Sequence, residues 1–133
     1  MYPQQHFIIG LPIFLILTPF IGLSYALVFF LSFFLVDFDH YLAYYKKKKD
    51  FSVRNAYYYW KDRHCKDELM IFHTIEFFIL LFILAFFSKI FLLIFIAIIF
   101  HEILDLIYME KRKLIGVRAF SIIMWLKRRK FFI

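Results

Sequence analysis

Residues 90 to 109, IFLLIFIAIIFHEILDLIYM, form an apolar run that carries three ionisable side chains in its second half. Spanning about 30 Å of hydrocarbon takes about 20 helical residues, and this run has that length. His101, Glu102 and Asp105 lie within five positions of one another. The stretch predicts a transmembrane helix with polar groups that need partners.

The composition is that of a membrane protein. Of the 133 residues 64% are hydrophobic, and the mean hydropathy is +0.74, which is too apolar for an ordinary soluble domain. Cys65 is the single cysteine, which excludes an intrachain disulfide and a thiolate metal cluster. We expect one membrane domain over residues 1–133.

The apolar segments predict an all-α, integral membrane helical bundle of about four transmembrane helices, arranged as two hairpins over residues 5–18, 23–42, 69–87 and 90–109. Only Ser88 and Lys89 join the last two segments, so their outer ends should face the same side. Pro19 and Gly22 interrupt the first apolar run and favour two helices there. A single kinked helix is the alternative, and it would place His6 on the opposite side of the membrane.

Positive charges set the expected orientation. Of the 17 Lys and Arg residues, eight lie in 43–68 and eight in 110–133, and basic residues in short loops stay cytoplasmic. We therefore expect a plasma or inner membrane protein with a cytoplasmic basic and aromatic loop (43–68) and a cytoplasmic C-terminus. Residues 114–130 predict a basic amphipathic helix at the interface.

Membrane lipid is the expected partner. The two basic runs, Lys46–Lys49 and Lys127–Lys130, should contact anionic headgroups. Aromatic residues interleave with basic ones in NAYYYWKDRHCK (55–66), which indicates an aromatic belt at the headgroups rather than a nucleic-acid site. The sequence is also compatible with an oligomer.

Histidine and acidic residues gather at the ends of the apolar segments that should face the cytoplasm: His6, Asp37, Asp39, His40, His73, Glu76, His101, Glu102 and Asp105. Spacings of three or four residues place a pair on one helical face in three segments. These pairs are Asp37 with His40, His73 with Glu76, and His101 with Asp105.

Such groups are costly in lipid, so something must compensate them. A charged side chain near mid-membrane costs about 2.5 to 3.5 kcal/mol on insertion scales. Four of these side chains together would cost on the order of 10 kcal/mol. Mutual hydrogen bonds are one compensation, and a metal ion is the other.

The inventory favours a metal site with His6, Asp37, Asp39, His40, His73, Glu76, His101 and Asp105 as ligands or close neighbours. Imidazoles and carboxylates without thiolates suit Zn, with Mn or Fe as alternatives. One or two ions fit the donor number, and a carboxylate such as Asp37 or Asp105 would bridge a pair. Candidate catalytic carboxylates are Asp39, Glu76 and Glu102, of which Asp39 and Glu102 are rotated off the paired faces.

Metal-activated water predicts hydrolysis, and a phosphoester such as a phospholipid fits a two-metal site best. A transporter is the first alternative, because intramembrane carboxylates and histidines also mark ion pathways. A non-catalytic protein with a structural metal or salt-bridge cluster is the second. HEILD (101–105) begins like a zincin helix, but Asp105 stands where that motif has its second histidine.

Four motifs resemble the membrane-bound metal-dependent hydrolases of the YdjM type, particularly small archaeal-like members. They are HFIIG (6–10), VDFDH (36–40), FHTIE (72–76) and HEILD (101–105). The resemblance implies a metal site at the residues given above, and a remote similarity to zinc-dependent phospholipase C implies a phospholipid substrate. Bacterial members usually carry a His-Arg pair before the middle histidine and a Ser after it, and DELMIFHTIEFF (67–78) lacks both.

Overall fold

A computed structural model describes residues 3–61, 68–113 and 118–130. Helices dominate this part of the chain, which confirms the expected all-α bundle. The elements, in chain order, are α1 (Pro3–Ile21), α2 (Leu23–Leu35), α3 (Phe38–Lys48), α4 (Val53–Lys61), β1 (Glu68–Leu69), a 3-10 helix (Ile71–His73), α5 (Ile75–Ala85), α6 (Lys89–Lys111), β2 (Arg118–Ala119) and α7 (Ile122–Lys130).

The first apolar run folds as a helical hairpin, the preferred of the two sequence interpretations. Gly22 separates the helices with a φ of 82°, a conformation that glycine adopts without a Cβ penalty. Phe7, near the start of α1, packs edge-on against Phe30 and Phe34, near the end of α2. Helix α1 runs on past Pro19, so the break falls at Gly22 rather than after residue 18. The reversal brings His6 to the same end as Asp37.

Three stretches are long and apolar enough to cross a membrane: Gln4–Ile21, Leu23–Lys48 and Lys89–Lys111. Their surfaces carry exposed aromatic and aliphatic side chains; Phe20, for example, is 81% exposed. The fourth expected span, 69–87, differs. Its helix α5 has 11 residues, or about 16 Å at 1.5 Å per residue. The preceding residues form β1 and the 3-10 helix instead, because β2 and the Asp39 carboxylate bind their backbone.

The core lies along α6, which packs against α2 on one side and α5 on the other. Phe29, Phe33 and Ala97 form one buried cluster. Val36, Leu81 and Ile98 form the second. Helix α1 approaches α2 closely at Gly10, where an added Cβ would lie 2.8 Å from the Phe33 ring. This packing fixes the positions of His6 in α1, Asp37 after α2 and His101 in α6 relative to one another.

The C-terminal segment, which the sequence predicted as an interfacial helix, is also bound to the bundle. Strands β1 and β2 pair in parallel, with Glu68 opposite Arg118, and the Ile75 amide donates to the Phe120 carbonyl over 3.0 Å. Helix α7 has exposed apolar side chains such as Met124 and Leu126, as an interfacial helix should. Residues 114–117 lie outside the described residues.

Residues 43–61 of the expected loop are largely helical, since α3 extends to Lys48 and α4 follows at Val53–Lys61. Helix α4 packs back towards α3. There the Trp60 indole Nε1 donates a hydrogen bond of 2.9 Å to the His40 carbonyl. His64 and Cys65 lie outside the described residues.

Candidate metal centre

Four side chains from three sequence regions form a first group, defined as His6, Asp37, His101 and Asp105. Their nearest ligand atoms lie within 4.8 Å of one another. His6 comes from the first turns of α1, Asp37 from the turn between α2 and α3, and the other two from successive turns of α6. The α1–α2 hairpin and the α2–α6 packing are what bring them together.

The first group is enclosed and its contacts are polar. His6 Nε2 lies 3.1 Å from Asp105 Oδ1, and His101 Nε2 lies 3.5 Å from Asp37 Oδ1. The two imidazole rings stack with their centroids 3.9 Å apart. Both histidines are 0% exposed, so water cannot solvate the ring nitrogens.

A second group, defined as Asp37, His40 and His73, shares its aspartate with the first. Asp37 Oδ1 lies 3.7 Å from His40 Nδ1 and 3.9 Å from His73 Nε2. The closest approach between the groups is between His73 Nε2 and His101 Nε2, at 3.4 Å. Asp37 therefore stands where a bridging carboxylate would, one of the two positions the sequence favoured for that role.

Hydrogen bonds on the far side of two imidazoles decide which ring nitrogens face the site. The Phe33 carbonyl can only accept, so His101 donates to it from Nδ1 over 2.8 Å. His73 Nδ1 donates to Asp39 Oδ2 over 3.1 Å. A neutral imidazole protonated at Nδ1 carries its lone pair at Nε2. Two lone pairs therefore face each other across the 3.4 Å between His73 and His101.

Facing lone pairs in a buried site repel each other, and a proton or a metal ion between or beside them relieves that repulsion. Asp37 Oδ1 adds negative charge to both, and Asp37 Oδ2 is buried without a hydrogen-bond partner among the described residues. An unpaired buried carboxylate oxygen is costly. A metal ion would satisfy these atoms together, and nitrogen and oxygen donors of this kind suit Zn, Mn or Fe. The residues therefore fit a metal, whose identity the donors leave open.

Asp39 belongs to neither group. It contacts the two histidines of the second group instead. Its Oδ1 accepts from His40 Nδ1 over 2.9 Å, and its Oδ2 accepts from His73 Nδ1 and, over 3.0 Å, from the Phe72 amide. For His73 the carboxylate binds the nitrogen opposite the one that faces the site, and such a contact raises the basicity of a ligating imidazole and fixes its tautomer. His40 uses Nδ1 both for Asp39 and towards Asp37, so it would have to release Asp39 to bind a metal through that atom. The geometry supports a positioning role, while a catalytic role for Asp39 stays a prediction.

We expect the Asp39→Asn variant to weaken metal binding while the bundle stays folded. The amide cannot accept on both sides, so one of the imidazoles or the Phe72 amide loses its partner. Loss of such an orienting group typically costs about 10-fold to 100-fold in metal affinity. Chelator competition with Zn measures the change. Glu110→Gln, on an exposed position of α6, is the control and should bind as the parent protein does; equal affinity in Asp39→Asn would remove the orienting role.

Glu76 lies outside both groups of described residues, although its spacing to His73 suggested a shared face. Its carboxylate accepts from Ser121 Oγ over 2.6 Å and from the amides of Ile122 and Ile123 over 3.1 and 3.2 Å. It therefore binds the first turn of α7 as an N-terminal capping group. His73 precedes α5 in the 3-10 helix, so the two side chains do not share a helical face.

Glu102 is also outside the two groups, and the sequence did not single out its partner, Arg118. Arg118 pairs with Glu102 through Nη2 and with Asp105 Oδ2 through Nη1, the latter over 3.2 Å. The arginine is 6% exposed. Its isolation in LIGVRAFS (114–121), away from the terminal basic run, was the available signal.

The fold and the site define a helical protein with three stretches long and apolar enough to cross a membrane and a histidine and aspartate cluster that could hold a metal ion. Comparisons with protein-family models, with curated proteins and with solved structures return no match.

Proposed function

We propose that the chain is a membrane-embedded, metal-dependent hydrolase acting on a phosphoester, such as a phospholipid. The observation that carries this proposal is the shared Asp37, which joins two ligand groups across 3.4 Å between His73 and His101. A two-metal site would supply activated water and a clamp on both oxygens of an in-line displacement. The motifs that resemble the YdjM-type hydrolases contribute residues to both groups, which also supports a metal-dependent hydrolase.

The two groups differ in access, and this difference supports an approach of the substrate from the second group. The His40 side chain is 27% exposed, whereas His6 and His101 are fully buried. Substrate would therefore approach past His40. His73 and His101 would then hold the site in place through Asp39 and the Phe33 carbonyl, respectively. Asp39, Glu76 and Glu102 are each held by hydrogen bonds or an ion pair, and they stay the candidate general bases.

The distribution of charge supports action at the cytoplasmic face of the plasma or inner membrane. Basic residues of α3 and α7 lie on elements that flank the site, and positive charge on this side follows the rule for membrane orientation. It also favours anionic lipid, whose phosphate would be attracted to these residues. Lys46–Lys49 and Lys127–Lys130 are the proposed contacts.

A structural role for the cluster is the second candidate, and burial favours it. His6, His101 and Asp105 are at most 3% exposed, and they join α1 to α6 in the way that a structural metal or salt-bridge network would. With a structural metal this candidate predicts bound metal without turnover, and with a salt-bridge network alone it predicts neither.

Metal content of the detergent-purified chain tests both candidates. We expect one to two equivalents of Zn, Mn or Fe, falling to below about a tenth in His73→Ala and His101→Ala at matched monodispersity. A phosphoester screen follows on the loaded protein. Turnover that is lost on metal removal supports the hydrolase, and metal without turnover on any phosphoester leaves the structural role. Absence of metal under chelator-free purification and on reconstitution would contradict both metal functions.

A further inference from the structure

A cavity of about 340 Å³ opens beside the metal centre, between α3, the segment containing β1 and the 3-10 helix, and α7. Its volume is within the range of small-molecule sites. Three elements that are far apart in the sequence meet around it, because β1 pairs with β2 and Glu76 binds the start of α7. The cavity therefore depends on the docked C-terminal segment.

The inner wall of the cavity is mostly apolar. Leu42 contributes from α3, Leu69 and Phe72 from the segment before α5, and Trp125 from α7. Such a wall offers a hydrocarbon chain a surface on which it displaces water. Small polar molecules would gain little from it.

Basic side chains line the same cavity. Lys46 belongs to the first basic run and Arg129 to the second, and both are exposed. Lys47 also lines the cavity but is already paired with Glu68. The Arg129 guanidinium stacks over the Trp125 ring at 4.2 Å, which holds it near the apolar wall. Two basic runs that are separate in the sequence thus converge on one site.

The wall also reaches the metal centre through Asp39. This residue lines the cavity, and its carboxylate contacts both histidines of the second group. A ligand in the cavity would lie against the residue that orients those histidines. The more accessible of the two groups is therefore also the one next to the cavity.

We propose that this cavity binds a membrane lipid with a phosphate headgroup, with its hydrocarbon chain against the apolar wall and its phosphate between Lys46 and Arg129. The inference rests on the proposed function, for which it names the substrate-binding site. Charge complementarity and the apolar wall together select an anionic amphiphile over a soluble phosphate. A membrane lipid is at hand, because α3 continues a membrane-crossing stretch.

Lipid retention by native mass spectrometry tests this site without requiring turnover. The full chain, in detergent with a chelator, is offered an equimolar mixture of phosphatidic acid and phosphatidylcholine with identical acyl chains. We expect one phosphatidic acid to be retained in preference to phosphatidylcholine. The Lys46→Gln/Arg129→Gln pair should reduce that preference by about tenfold or more, because charge-assisted hydrogen bonds to phosphate are lost.

Two further variants separate a built site from general charge attraction. Lys48→Gln/Lys127→Gln makes the same charge change on the same two helices outside the cavity, and it should retain the preference. Ala43→Trp fills the cavity without changing charge and should abolish retention. Equal losses in the two charge pairs, or full retention in Ala43→Trp, would overturn the proposal. Failure of hydrolysis with retention intact would instead count against the proposed function alone.

Discussion

Replacing Asp37 by Asn should empty both ligand groups at once. Asp37 Oδ1 faces His101 at 3.5 Å and His73 at 3.9 Å, so a single carboxylate serves both positions. An amide is a weak metal ligand and carries no charge to offset the ion. We expect bound metal to fall from one to two equivalents to nearly none, as measured by elemental analysis. Any metal-dependent turnover should fall about a thousandfold, which corresponds to about 4 kcal/mol.

A matched control for this change is Asp50→Asn. Asp50 is also ionised, because hydrogen bonds from Tyr44, Asn55 and the Ser52 amide hold its pKa below the ordinary value. It lies between α3 and α4, away from both groups. The control should keep its metal. If Asp37→Asn retained one full equivalent, the two groups would bind independently and Asp37 would not be shared.

The grouping of the buried histidines was predictable because the cost of such side chains in lipid restricts where they can lie. His6, His101 and Asp105 had to find partners within the bundle, and the hairpin at Gly22 left one end of the molecule to hold them. The i, i+4 spacing of His101 and Asp105 correctly placed both on one face of α6. The fold class followed from the same apolar segments.

The region around His73 was not predictable from periodicity, because tertiary contacts override helix propensity there. Asp39 accepts from the Phe72 amide, and β1 pairs with β2, so residues 68–73 leave the helical path. Glu76 then turns to α7 rather than to the site. Both contacts join residues more than 30 positions apart, which no local pattern reveals.

Replacing Arg118 by Gln should strongly destabilise the protein. The guanidinium is 6% exposed and pairs with Glu102 and Asp105, which are 6% and 3% exposed. Removing one partner of a buried ion pair typically costs about 3 to 5 kcal/mol, because the remaining charge is neither paired nor hydrated. We expect a lower melting temperature in detergent. Arg112→Gln, at an exposed position at the end of α6, should leave it nearly unchanged.

A double variant shows whether the loss comes from the unpaired carboxylates or from the docking of β2. In Arg118→Gln/Glu102→Gln the Glu102 charge is gone, so part of the stability should return, with a coupling of about 1 to 3 kcal/mol. Added Zn should narrow the remaining gap if Asp105 is a metal ligand, because the ion would replace the guanidinium as its counter-charge. If the two substitutions lower the stability additively and added Zn has no effect, Arg118 acts by holding the C-terminal strand. The proposed lipid cavity, whose α7 wall follows that strand in the chain, would then be lost in Arg118→Gln and in the double variant alike.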